Sequence, residues 1–285
     1  MKPARFEYHA PTSVDEAVQL LSSLAAEDGR ILAGGQSLVP TMAFRLAKPG
    51  HLIDINAIAT LGQIGSKDGA LEIGACVRHA AFHRPVVAGP LGQLMSTVVR
   101  HIAHYPIRQR GTFCGSLAHA DPASEWCLVA VTLGAQMIAL STRGARTIAA
   151  EDYFTGIMTT ALAEDELLSQ VRIPLLAPDT RFGFREFSRR AGDYAIAMAL
   201  VTFRLDGGTI VEPRVGIGGA EANPRRIPEA EAALVGKPAE LTTFRAAAEI
   251  AAEVVEPMED MQADAIYRRD LVRAMTRRAL EQAAQ

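Results

Sequence analysis

The sequence predicts an α+β protein in two parts, and three observations predict it. A strand-like run in the first half delivers the chain into a glycine turn at Gly34-Gly35, and a second glycine-bearing turn lies around Gly111 to Gly115. Pro174-Leu-Leu-Ala-Pro178 breaks the pattern. Beyond the break three strand-like runs precede three helical ones, so sheet and helix are segregated rather than alternating. At 285 residues the chain is long enough for two domains, or one large and one small. Apolar residues make up 49% and charged residues 21%, the balance of a globular protein with a core. A net charge of -3 and a pI near 6.2 provide no positive field for nucleic acid or an anionic membrane.

Along the chain, residues 6–9 read as a short strand before Pro11. Ser13-Val-Asp-Glu16 is a capping box, after which Val14, Ala17, Val18, Leu21 and Leu24 recur at helical spacing until Gly29 ends the helix. A buried strand over 30–33 runs into Gly34-Gly35, and another follows over 51–55. Residues 63–77 form a hairpin turning at Asp68-Gly69. Apolar spacing predicts a helix over 91–103. Residues 104–125 then read as irregular, with two prolines, two glycines and few apolar runs; a loop of that length inside a compact domain tends to be functional. A short apolar helix over 126–133 and strands over 136–142 and 167–173 complete the first part. The second part carries strands over 182–188, 195–205 and 211–217, a turn at Asp206-Gly-Gly208, and helices over 229–235, 243–255 and 263–284.

Several function classes are set aside on composition. The N-terminus, Met-Lys-Pro-Ala-Arg-Phe, lacks the apolar stretch of a secretory leader. No window approaches the roughly 18 apolar residues of a membrane span. A cytoplasmic location is expected. Cys76, Cys114 and Cys127 are odd in number and form no C-x-x-C pair, so three reduced thiols are expected rather than a zinc or iron–sulfur site. His101 with His104, and His79 with His83, lack a third ligand, and no metal site is expected.

Two segments carry chemistry. In Ile31-Leu-Ala-Gly-Gly-Gln-Ser-Leu38 a strand delivers two glycines whose missing Cβ atoms let backbone N–H groups approach a ligand, with Gln36 and Ser37 as further donors. Phosphate suits such a strand–turn–helix; a tight turn without a ligand is the alternative. The segment is not G-x-G-x-x-G, and a nicotinamide-type site is poorly supported. In residues 107–125, Gly111, Thr112, Gly115 and Ser116 can line a polyanion, and Asp121 and Glu125 can accept from ribose hydroxyls. Arg108 and Arg110 would offset phosphate charge or hold the loop. A solvated surface loop is the alternative. Gly216-Ile-Gly-Gly219 reads as a turn. Arg268, Arg269, Arg273, Arg277 and Arg278 read as a solvated helix face, with a subunit contact as the sharper possibility.

Together the two segments resemble the A-G-G-H-S and T-I-G-G-N motifs of the flavin-binding (medium) subunits of molybdenum hydroxylases, the family of the carbon monoxide dehydrogenase medium subunit and the xanthine dehydrogenase flavin domain. The similarity spans nearly the whole chain, including L-L-S-x-x-x-I-P at Leu167 to Pro174 and R-x-G-D-Y-A at Arg190 to Ala195. The resemblance implies a two-subdomain FAD-binding domain of the PCMH type over 1–177 and a C-terminal antiparallel sheet packed with helices over 178–285. It implies that Ile31, Leu32, Ala33, Gly34, Gly35, Gln36, Ser37 and Leu38 hold the FAD pyrophosphate and reach the flavin edge. Thr112, Cys114, Gly115 and Ser116 would form the second pyrophosphate wall, with Glu125 where the family places an acidic ribose or adenosine contact; Gly111 and Asp121 join the site on their own residue chemistry. Ile102 and Leu167 match apolar contacts, Arg185 a basic residue near the flavin ring, and Tyr194 the aromatic beside one flavin face. Gln36 stands where the family has His, Cys114 replaces the first Gly of T-x-G-G-N, and Ser116 replaces its Asn.

The family's function would make this an electron-transfer subunit. A [2Fe–2S] small subunit and a molybdopterin-binding large subunit would be its partners, in a dimer of heterotrimers. Electrons from the clusters would reach an external acceptor through FAD. No general acid or base is expected in this chain. A free-standing FAD-dependent oxidoreductase with its own small substrate is the main alternative, and a scaffold that has lost its cofactor is the third.

Overall fold

In the computed structural model, which describes residues 2–285, Ser13 caps the first helix by accepting from the Glu16 N–H at 3.2 Å. The Glu16 carboxylate folds back onto the Thr12 N–H at 2.8 Å, one residue before the cap. Helix α1 (Val14–Leu24) buries Ala17, Val18 and Leu21. It packs on a parallel three-stranded sheet whose order is β1 (Glu7–His9), β3 (His51–Asp54), β2 (Gly29–Leu32). The left-handed residue that stops the helical stretch is Asp28 (φ 56), not Gly29, which opens β2. Asp tolerates that conformation, and its carboxylate is held by Arg30 Nε at 2.8 Å. Helix α2 (Leu38–Ala43) follows the turn after β2.

The second subdomain is an antiparallel sheet ordered β4 (Ile64–Lys67), β5 (Ala70–Gly74), β10 (Leu167–Pro174), β6 (Gln136–Ser141), β7 (Gly144–Ala149). Asp68 (φ 48) and Gly69 (φ 74) make the expected tight turn. Strand β7 was invisible to periodicity because its first four residues are all exposed on a sheet edge. Helix α7 (Ala150–Tyr153) and the hairpin β8 (Phe154–Gly156)–β9 (Thr159–Thr160) are likewise too short to announce themselves.

The helix expected over 91–103 is α3 (Pro90–Val98) and ends early. The stretch expected to be irregular holds α4 (Tyr105–Arg110) and α5 (Phe113–His119). Six or seven residues present too little of a helical period to be read. Pro106 sits in the first turn of α4, where proline is tolerated, and Gly111 separates the two helices. All nine residues of α6 (Glu125–Leu133) are buried, because this helix is clasped between the two halves of the molecule.

The C-terminal sheet is antiparallel, ordered β11 (Arg181–Phe187), β12 (Ala197–Asp206), β13 (Thr209–Gly218), β14 (Arg225–Arg226). Helix α10 (Ala265–Ala284) covers one face of this sheet, with α9 (Leu241–Val254) beside it; α8 (Pro228–Leu234) packs on β13, and α3 and α6 face the sheet from the first half. Ala197 to Phe203 are therefore buried without alternation. Two expectations are corrected here. Gly216 and Gly218 lie within β13 rather than in a turn: a Cβ on Gly216 would stand 1.9 Å from Thr132 Oγ1, so only glycine lets α6 rest on the sheet. Arg268 belongs to no solvated face. It is 3% exposed and donates to the carbonyls of Ile196 at 2.7 Å and Gly219 at 2.6 Å, and to Asp260 at 2.6 Å. Arg273 and Arg277 pair with Glu249 and Glu281 at the surface as expected. Among the described residues no helix is long and apolar enough to cross a membrane.

Candidate functional site

The β2–α2 turn and the α4–α5 junction meet backbone to backbone. A Cβ on Gly34 would lie 2.5 Å from the Arg110 carbonyl oxygen and 2.6 Å from Gly111 Cα, so the contact exists only because Gly34 has none. Gly35 adopts φ +69, the left-handed region that favours glycine. The junction is braced from behind. Asn56 Nδ2 donates to the Ala33 carbonyl at 2.8 Å, and Arg78 donates to Asn56 Oδ1 at 2.5 Å and to the Arg110 carbonyl. His79 donates its backbone N–H to the Gly111 carbonyl at 3.0 Å, while its Nδ1 accepts from Trp126 Nε1 at 2.9 Å. Burial, reinforced by Arg108 and Arg78, drives the His79 pKa down to about 3, so the ring stays neutral and keeps an acceptor for Trp126.

These turns wall a cavity of about 910 Å³, near the top of the roughly 300–1,000 Å³ range of small-molecule sites and roomy enough for a dinucleotide. All eight residues from Ile31 to Leu38 line it, together with Gly111, Thr112, Cys114, Gly115 and Ser116. Ile102 and Leu167 supply buried apolar wall, Asp121 and Glu125 a carboxylate-bearing stretch, and Tyr194 stands 63% exposed at the rim. Arg185 is the exception: it points outward from β11 and is absent from the lining. The β8–β9 hairpin adds Met158, Thr159 and Thr160, and the following segment adds Leu162, which no sequence signal flagged.

Local contacts refine several roles. Thr112 Oγ1 caps α5 by accepting from the Gly115 N–H at 3.0 Å, and it is nearly buried. Cys114 sits in the first turn of α5 with a negative φ, so it needs none of glycine's freedom; its thiol turns into the core toward the Ile73 carbonyl at 3.5 Å. Gln36 donates its side-chain amide to the Gly34 carbonyl at 3.1 Å, which stiffens the turn. Arg108 serves as a brace, donating to the carbonyls of Ile102 at 2.6 Å and Ala103 at 2.9 Å.

Glu125 and Glu186 form a buried acidic pair that sequence reading missed in half. Burial, with the charge of Asp121, pushes Glu125 up to about 7; burial and the Glu125 charge push Glu186 up to about 9. Among the described residues Glu186 Oε2 has no hydrogen-bond partner; His101 Nδ1 lies 3.7 Å away with its own pKa lowered by burial and by Arg185. Both shifts favour a neutral pair. Their folded pKa values lie above the ordinary glutamate range near 4.3, so the unfolded chain releases these protons first as pH rises. Stability from this pair is full below that range and is lost progressively toward pH 7 and pH 9. Glu186→Gln is therefore expected to raise the melting temperature of the flavin-free chain at pH 8. The gain should shrink toward pH 5, and an equal gain at both pH values would refute the assignment.

A cavity of this volume walled by two touching glycine turns suits a nucleotide cofactor, and the comparisons narrow the class. Residues 4–176 match the FAD binding domain in molybdopterin dehydrogenase, and residues 182–283 match the CO dehydrogenase flavoprotein C-terminal domain. The nicotine 6-hydroxylase medium subunit of Paenarthrobacter nicotinovorans is 39% identical over 284 residues, 99% of each chain. The carbon monoxide dehydrogenase medium chain of Hydrogenophaga pseudoflava is 36% identical, covering 99% of this chain and 98% of that one. The solved structure of the carbon monoxide dehydrogenase of the same organism, lacking the Mo-pyranopterin moiety, superimposes with a TM-score of 0.95 at 37% identity, covering 99% and 98% of the two chains. The chain belongs to the FAD-binding medium subunits of molybdenum hydroxylases, and FAD is its cofactor.

Proposed function

We propose that this chain carries electrons from the [2Fe–2S] clusters of a small partner subunit to an external acceptor, in a complex whose molybdopterin-binding large subunit performs the hydroxylation. Bound FAD supplies the redox chemistry; the protein's own residues bind it, orient it and limit its exposure. The carrying observation is the backbone contact of Gly34 with Arg110 and Gly111 at one wall of the 910 Å³ cavity. Two glycine turns there can direct N–H groups at a pyrophosphate without side chains intervening. Asp121 and Glu125 are suited to ribose hydroxyls, Ile102 and Leu167 to apolar ring surface, and Tyr194 to one flavin face. Arg185, exposed on β11 and outside the lining, does not join that set.

On this reading residues 1–177 hold most of the cofactor, and residues 178–285 add Tyr194 at the rim and buttress the site through β11, β12 and β13 against α3 and α6. The complex is a dimer of heterotrimers in the cytoplasm, where the three free thiols stay reduced. Affinity purification through a tag on this chain, from cells that make it naturally, tests the proposal. Two further chains should follow it, with iron, molybdenum and heat-releasable FAD. A chain that holds FAD, purifies alone and turns over a small substrate would instead establish a free-standing oxidoreductase.

A further inference from the structure

The parallel pairing of β1 on β3 puts Glu7 opposite His51 in register, with His9 two residues along the same face. The ligating atoms of Glu7, His9 and His51 lie within 4.8 Å of one another. His9 Nε2 is 3.1 Å from His51 Nδ1, and that nitrogen is 3.7 Å from Glu7 Oε2. Ligand bonds of about 2.0–2.2 Å in a tetrahedral zinc site separate the ligand atoms by roughly 3.3–3.6 Å. The two distances bracket that edge. A second feature is independent of the first: the other nitrogen of His51, Nε2, faces Glu27 Oε2 at 3.4 Å. A carboxylate on the far nitrogen of a ligating histidine is what fixes its tautomer and aims its lone pair at a metal.

We propose that Glu7, His9 and His51 bind a divalent transition-metal cation, zinc being the test ion, with Glu27 orienting His51. Two imidazoles and a carboxylate suit such an ion, and a fourth position stays open to water. Glu7 and Glu27 are largely exposed and bring two negative charges to a cation's approach, while the His51 side chain is 12% exposed and held in place. Bound metal would tie the N-terminal strand to β3, the central strand of the sheet whose β2 ends at the cavity. The inference does not depend on the proposed role in electron transfer.

The purified chain, dialysed against zinc chloride at fixed free concentration, should hold about one zinc by elemental analysis, with a single anomalous-scattering peak between His9 and His51 in crystals. His9→Gln and His51→Asn should each remove that zinc while leaving flavin content unchanged. Glu27→Gln should weaken it about tenfold or more. Should His51→Asn disturb folding, His9→Gln on the exposed strand β1 decides alone. Equal zinc content in the wild type and His9→Gln, no zinc in the wild type at micromolar free metal, or an anomalous peak elsewhere, at a cysteine for example, would overturn the site.

Discussion

Gly34→Ala should strip the chain of most of its flavin while leaving it folded. The added methyl would sit 2.5 Å from the Arg110 carbonyl oxygen and 2.6 Å from Gly111 Cα, both backbone atoms that cannot turn away. The turns must separate, and the brace that opposes separation, Asn56 and Arg78 bound to the carbonyls of Ala33 and Arg110, holds them from behind. Misaligned N–H donors should cost at least about tenfold in FAD affinity, about 1.4 kcal/mol. Gly35→Asp should be harsher, since it combines a side chain at φ +69 with a carboxylate where phosphate is proposed to lie. Absorbance of the purified variant near the flavin bands, per chain, is the measurement. Undiminished flavin in both variants would remove the glycine turns from the cofactor site.

Arg268→Met should destabilise the protein by roughly 3 kcal/mol, because the carbonyls of Ile196 and Gly219 would lose their buried donor. Those carbonyls flank β12 and β13, so the loss falls where the C-terminal sheet meets α10. Methionine preserves the apolar stem, which isolates the polar contribution. A fall in melting temperature on the order of 5–10 °C is expected. Arg268→Lys should recover little, since one ammonium cannot span two carbonyls and Asp260 as the forked guanidinium does. A melting temperature within about 2 °C of wild type would show that water replaces the arginine.

Much of the chemistry was legible in the sequence because it resides in local backbone demands. A strand ending in Gly34-Gly35 announces a close backbone approach wherever the chain goes afterwards, and the cavity wall from Ile31 to Leu38 follows from that. Thr112 is recognisable in the sequence only as a polar residue of a glycine-bearing stretch; its place ahead of α5 is not, because α4 and α5 are too short to show a period. The break near Pro174 and the run of strands before helices likewise need only local pattern.

What the tertiary structure decided are the pairings between distant segments. Arg268 looks like any helix-surface arginine until the Ile196 and Gly219 carbonyls, 72 and 49 residues away, are brought under it. Gly216 looks like a turn residue until α6 lies across it. Glu186 becomes an unpartnered acid only once β11 carries it beside Glu125, and Arg185, its neighbour on the strand, is sent outward by the same alternation. His9 and His51, 42 residues apart, face each other only through the parallel register of β1 on β3. The sequence by itself determined the longer strands and helices and the close turn at Gly34-Gly35, since backbone sterics and hydrophobic period act over a few residues. Which side chains are buried, charged or paired was decided only by packing, because desolvation and hydrogen bonding depend on neighbours supplied by folding.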